Sequence, residues 1–76
     1  MKPITNVALE RWASGRYLVC HLPNNWQDMC EEDRIDFVGD NAANPYGVAE
    51  DILDSIYGLV RDTKKFLKSH EIEVVE

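Results

Sequence analysis

The sequence predicts a small, mostly α-helical domain, and three observations carry that prediction. The chain has 76 residues, a length that suffices for one domain. Its C-terminal half repeats apolar residues at steps of three and four, the spacing of one buried helical face. Helix-capping residues and helix stops delimit two further apolar stretches. We therefore expect a single domain, residues 1–76, with three helices and a short extended C-terminal tail, the helices at about 5–21, 25–38 and 45–69.

The first third of the chain supports two interpretations. In one, Thr5 or Asn6 caps a helix that runs to about residue 21. In the other, that helix ends at Ser14-Gly15, and residues 16–22 form a strand that pairs with the alternating tail at 71–75. The second interpretation is an α+β fold. We favour the first, whose apolar stripe comprises Ala8, Leu9, Trp12, Ala13, Val19 and Cys20.

The second helix is predicted between a capping asparagine and a glycine stop. Pro23 interrupts whatever precedes it, and Asn24 or Asn25 is a favourable N-cap. Gly39-Asp40-Asn41 is typical of a helix end followed by a loop. The apolar side of this helix comprises Trp26, Met29, Cys30, Phe37 and Val38. Trp12, Trp26 and Phe37 are expected in the core.

The third helix has the strongest pattern. Asn44 can serve as its N-cap with Pro45 at the first helical position, where a missing N–H is tolerated. Acidic residues cluster in its first turns and basic residues in its last ones, which complements the helix dipole. Its buried face is predicted to comprise Ala49, Ile52, Leu53, Ile56, Val60, Thr63 and Leu67.

The cysteines and histidines do not form a recognisable metal or cofactor motif. The N-terminus has no long apolar run, so we expect a cytoplasmic protein in which Cys20 and Cys30 are free, buried thiols. The ligand candidates also include His21 and His70. They lack the closely spaced pairs of structural zinc sites, and we predict no metal site and no cofactor.

The residue types that perform catalysis occur in unfavourable surroundings. Cys30 lies among carboxylates, which disfavour the reactive thiolate. Carboxylates on an outer helix face are solvated, and general acid catalysis requires a raised pKa. The four glycines are scattered and do not form a phosphate-binding loop. We therefore predict that the protein is not an enzyme.

Charge is the most informative feature of the sequence. The chain has 14 acidic and 8 basic residues and a net charge of −6. The segment 28–54 holds nine acids and one base, Arg34, which gives it −8, while the remainder carries +2. Such polarity disfavours binding to a phosphate backbone, and no apolar run approaches the length of a membrane span. The nine acids of this acidic segment are Asp28, Glu31, Glu32, Asp33, Asp36, Asp40, Glu50, Asp51 and Asp54.

The polarity predicts a protein-binding role. An acidic surface attracts basic surfaces and accelerates encounter with a cationic partner. We expect the acidic segment to bind a larger protein with a basic surface and to regulate or inhibit it by occlusion. One version of this hypothesis is a nucleic-acid mimic of phage or mobile-element origin. The predicted contact residues are Asp28, Glu31, Glu32, Asp36, Asp40 and Tyr46.

A structural role is the alternative prediction. Tyr57, Leu59 and Phe66 lie off the main apolar stripe of the third helix. Helix 45–69 could therefore join two copies, and small domains often gain stability by association. The acidic face would then serve only solubility.

Overall fold

The computed structural model describes residues 3–44 and 46–75, which form three α-helices and one two-stranded sheet. The mostly α fold class is thereby confirmed. The elements, in chain order, are β1 (Ile4–Thr5), α1 (Asn6–Ser14), a 3₁₀ turn (Trp26–Asp28), α2 (Glu31–Asn41), α3 (Ala49–Ser69) and β2 (Val74–Val75).

The sheet joins the two ends of the described chain. β1 and β2 are parallel, with Ile4 opposite Val74 and Thr5 opposite Val75. The tail is extended as predicted, but it pairs with β1 and not with residues 16–22. The α+β alternative is therefore wrong in its strand pairing. Thr5 also caps α1, because its Oγ1 accepts a hydrogen bond of 3.1 Å from the N–H of Ala8.

Helix α1 ends at Ser14, seven residues before the predicted end near residue 21. The Ser14 carbonyl accepts from the N–H groups of Tyr17 and Leu18, which closes a turn. Beyond it the chain pairs with the end of α2: Val19 donates to the Asn41 carbonyl, and Leu18 forms an isolated antiparallel bridge with Ala42. Burial of Leu18 against α2 is thus incompatible with a continued helix.

Helix α2 begins at Glu31 and ends at Asn41, whereas 25–38 was predicted. A helix starting at 25 would use the carbonyls of Trp26 and Gln27 for N–H groups four residues later. Here the guanidinium of Arg34 donates to both carbonyls, the Trp26 carbonyl also accepts from the N–H of Met29 in a 3₁₀ turn, and the chain then extends. The helix continues past Gly39, where the lack of a side chain allows the close approach of Ala49: a Cβ there would lie 3.3 Å from Cβ of Ala49.

Helix α3 ends at Ser69 as predicted but begins at Ala49 and not at 45. Asn44 forms a turn in place of a helix cap: its Oδ1 accepts from the N–H of Tyr46, and its carbonyl accepts from Gly47. Pro45, the other residue of the predicted start, lies outside the described residues. The apolar face of α3 is confirmed, with Leu53, Ile56, Val60 and Leu67 buried and Ala49, Ile52 and Thr63 partly buried.

The core forms one cluster to which the irregular chain between α1 and α2 contributes Leu18, Leu22 and Trp26. Trp26 is buried as predicted, and it meets the half-buried ring of Phe37 edge-on at 6.0 Å between centroids. The prediction was wrong for Trp12, whose side chain is 46% exposed. It was also wrong for the two cysteines, both exposed, because each lies in irregular chain outside the helices.

Candidate functional site

All nine acids of the acidic segment are exposed. Asp28 ends the 3₁₀ turn, Glu31, Glu32 and Asp33 form the first turn of α2, and the α3 acids lie within its first six residues. Among the described residues, the single ion pair joins Arg61 to Asp62 at 3.7 Å, outside the segment. The structure therefore presents these carboxylates to solvent without a paired cation.

A regular row of acids lies along α2. Glu32, Asp36 and Asp40 are four residues apart, so their side chains follow one side of the helix. Three of the six predicted contact residues are thereby brought into one row. Acids in the first turn also complement the positive end of the helix dipole, which helps to explain why α2 begins at Glu31.

Arg34, the only base of the acidic segment, is directed inward. Its Nε and Nη2 donate to the Trp26 carbonyl at 3.1 and 2.8 Å, and Nη1 donates to the Tyr57 hydroxyl at 3.1 Å. The guanidinium lies 4.8 Å from the centre of the Trp26 ring, a cation–π distance. Its hydrogen bonds go to carbonyls and a hydroxyl, and it also lies over an aromatic face. It therefore does not neutralise the surface row by pairing.

Glu31 differs from the other predicted contact residues because its carboxylate bonds to a side chain of α3. The Tyr57 hydroxyl donates a hydrogen bond of 3.3 Å to Glu31 Oε2. Burial raises the pKa of Tyr57 above its ordinary value, an effect that Arg34 opposes and that the charge of Glu31 reinforces. Glu31 therefore has a structural contact as well as an exposed carboxylate.

Tyr46 projects from the loop between α2 and α3. Its side chain is 95% exposed, and the nearby Val48 is 62% exposed. Tyrosine is enriched at binding hot spots. The exposure of Tyr46 agrees with the sequence prediction, while its role as a contact stays a prediction.

The predicted site residues do not include Glu10, a buried carboxylate that bonds to Trp26 just before the acidic segment. Glu10 of α1 is 8% exposed, and its Oε2 accepts 2.8 Å from the indole N–H of Trp26. Asn6 donates to the other carboxylate oxygen. Sequence spacing gave no sign of this contact, because Glu10 and Trp26 belong to different elements.

Metal binding and membrane insertion find no support in the described chain. Within residues 3–44 and 46–75, no three His, Cys, Asp or Glu side chains come together in a way that could hold a metal ion. None of the helices in those ranges combines the length and apolar character that crossing a bilayer requires.

Comparison with known proteins adds no relative. The sequence matches no family model, and neither a curated protein nor a solved structure shows significant similarity to it. Function has therefore to be inferred from the side chains themselves.

Proposed function

We propose that the protein binds a larger protein with a basic surface through its acidic segment and regulates or inhibits that partner by covering the surface. The observation that supports this most is the inward orientation of Arg34. With its guanidinium bonded to Trp26 and Tyr57, the exposed acids have no ion-pair partner within residues 3–44 and 46–75. Their negative field steers basic partners toward the surface and repels nucleic acid.

The charge density of α2 favours the nucleic-acid mimic as one form of this function. The helix has 11 residues and is therefore about 16 Å long. Its five carboxylates give an average of about one negative charge per 3 Å of helix, against roughly 3.4 Å per phosphate along one DNA strand. The three acids on one side, Glu32, Asp36 and Asp40, are about 6 Å apart, so the likeness is one of charge density.

The test compares two triple variants that change net charge equally. The first, Glu32→Gln/Asp36→Asn/Asp40→Asn, removes the row on α2. The matched control, Asp62→Asn/Glu71→Gln/Glu73→Gln, removes three exposed acids outside the segment. Each protein serves as bait for affinity purification from the organism that encodes it, with washes at low and then high salt.

We expect one defined protein to be retained by the wild type and the control, to be released by high salt, and to be lost from the first variant. Exposed charge pairs contribute about 0.2–1 kcal/mol each, so loss of three, about 0.6–3 kcal/mol, should weaken binding by about 3-fold to about 150-fold. Equal retention by all three baits would show that the row on α2 is not the interface. For the mimic, the purified partner should release bound nucleic acid when the wild type is added.

A structural homo-oligomer is the second candidate. It is favoured by Phe66 of α3, which is 61% exposed. A tight oligomer in sedimentation, with no salt-sensitive partner in the purification, would favour this role over the first.

A further inference from the structure

A second surface surrounds Trp12, outside the acidic segment. The half-exposed indole lines an apolar groove of about 330 Å³ between α1 and α3. The residues that line it are Ile4, Ala8, Leu9, Trp12, Thr63 and Leu67. We call it the Trp12 groove. Phe66, next to Leu67 in the chain, is a further exposed ring on α3 that does not line this groove. Contiguous apolar surface of this kind indicates an interaction site more than scattered exposed residues do.

Basic side chains lie near Trp12, which the groove shares with a neighbouring cavity. A second cavity, of about 500 Å³, also contacts Trp12 and is lined by Arg11, His21, Leu22 and Asn24. The guanidinium of Arg16 lies 5.0 Å from the centre of the Trp12 ring. No carboxylate is among the described residues that line either cavity. The surface therefore suits an occupant that combines an apolar anchor with negative charge.

The acidic segment of this same protein has that combination. Tyr46 and Val48 are its most exposed apolar side chains, and Asp40, Glu50 and Asp51 lie close to them in the chain. A single copy cannot bring the two surfaces together. Thr63 and Leu67 follow Ala49 on one continuous helix by 14 and 18 residues, about 21 and 27 Å along its axis.

We propose that residues 46–48 of one copy dock in the Trp12 groove of a second copy, with the neighbouring carboxylates facing Arg11 and Arg16. The two contacting surfaces are different, so the contact is head-to-tail. A head-to-tail pair leaves one groove and one acidic segment free, so association extends into open chains or closes into a ring. Net repulsion between copies of charge −6 opposes long-range approach, and physiological salt screens it over about 8 Å.

Self-association has a consequence that rests on the proposed function. The docked copy uses the acids and Tyr46 that a basic partner would use. Partner and second copy therefore compete, and partner binding should dissociate the chains. The head-to-tail contact itself does not depend on the partner.

Sedimentation of the whole chain at physiological salt, from micromolar to millimolar concentration, tests the contact. One variant, Arg11→Glu/Arg16→Glu, reverses the charges near Trp12 and keeps residues 46–48. Another, Tyr46→Ser/Val48→Ser, removes the anchor and keeps the groove. The control Lys65→Glu/Lys68→Glu makes the same charge change on exposed residues of α3 that do not line either cavity. Circular dichroism verifies that each variant folds, and all substituted side chains are exposed.

We expect the mass of the wild type and the control to rise with concentration, and each of the other variants to associate about tenfold more weakly or worse. A mixture of the two variants should recover one contact and stop at a 1:1 dimer, because each supplies the surface that the other lacks. The proposal is overturned by a wild type that stays monomeric at every concentration, by variants that associate as it does, or by a mixture that stays monomeric.

Discussion

Trp12 and Trp26 are both tryptophans with an arginine over the ring, but one is half exposed and the other is buried. An arginine guanidinium lies over each ring, Arg16 at 5.0 Å from the centre of Trp12 and Arg34 at 4.8 Å from that of Trp26. Trp26 is 2% exposed and donates to buried Glu10, whereas Trp12 is half exposed between two cavities. An arginine over a tryptophan therefore does not reveal a role, and burial decides whether the pair holds the fold or faces a partner.

The orientation of α1 explains this difference. The predicted stripe includes Ala8 and Trp12, but the helix buries Leu9, Glu10, Ala13 and Ser14. The buried face is thus displaced by about one residue, or roughly 100° around the helix. Burial of Glu10 is tolerated because its carboxylate accepts hydrogen bonds from Trp26 and Asn6. The same rotation exposes Trp12.

The largest expected effect separates the two tryptophans directly. Trp26→Ala should lower the free energy of unfolding by about 3–5 kcal/mol, since it empties a core position. Trp12→Ala should lower it by about 1 kcal/mol or less, because its ring is half exposed. Urea unfolding followed by far-ultraviolet circular dichroism measures both.

Trp26→Phe keeps the comparison testable where Trp26→Ala does not fold. The phenyl ring fills most of the site but leaves the buried Glu10 carboxylate without its indole donor, at a cost of about 1–3 kcal/mol. Equal losses for the Trp12 and Trp26 variants would contradict the different roles inferred from the burial of Trp26 and the exposure of Trp12.

The two arginines should differ next. Arg34→Lys removes a planar donor whose nitrogens reach the Trp26 carbonyl and the Tyr57 hydroxyl together, a geometry that an ammonium does not reproduce. We expect a loss of about 1–3 kcal/mol. Arg16→Lys, the matched change over the exposed ring, should stay within about 0.5 kcal/mol. A loss for Arg16→Lys as large as for Arg34→Lys would show that the exposed pair also stabilises the fold.

Local patterns allowed the regular parts of this fold to be predicted. The apolar repeat of α3 indicated its buried face and its end at Ser69, and Thr5 was recognisable as a cap. The acids of segment 28–54 were also expected at the surface because charge favours exposure, and Tyr46 was expected there as a contact residue beside them. These features depend on neighbours in sequence, and a sequence pattern is sensitive to those.

Contacts between distant residues could not be read in this way. Arg34 replaces helical N–H donors at Trp26 and Gln27, so α2 begins six residues later than predicted. Glu10 bonds to Trp26 across 16 residues, which rotates the buried face of α1. In both cases a long-range polar contact overrides the apolar period, and the period alone gives no sign of it.

The smallest effect concerns Tyr57, whose hydroxyl accepts a hydrogen bond from Arg34 and donates one to Glu31. Burial raises its pKa above the ordinary value of 10.0. As the pH rises through 10, the unfolded chain loses this phenolic proton before the folded chain does. The unfolded state then binds fewer protons, so the free energy of unfolding falls with pH in that window and Tyr57 accounts for part of the fall.

Tyr57→Phe should therefore lose less stability than the wild type as the pH rises through 10. At neutral pH the variant loses the hydroxyl contacts with Arg34 and Glu31, at about 0.5–1.5 kcal/mol. Above pH 10 its stability should fall less steeply than that of the wild type, and the difference between them should narrow. Urea unfolding from neutral pH to above pH 10 measures this, with Tyr46→Phe as the control because that ring is almost fully exposed. Parallel profiles for the wild type and Tyr57→Phe would show that this hydroxyl is as solvated in the folded chain as in the unfolded one. Arg34 would then hold the acidic segment through Trp26 alone.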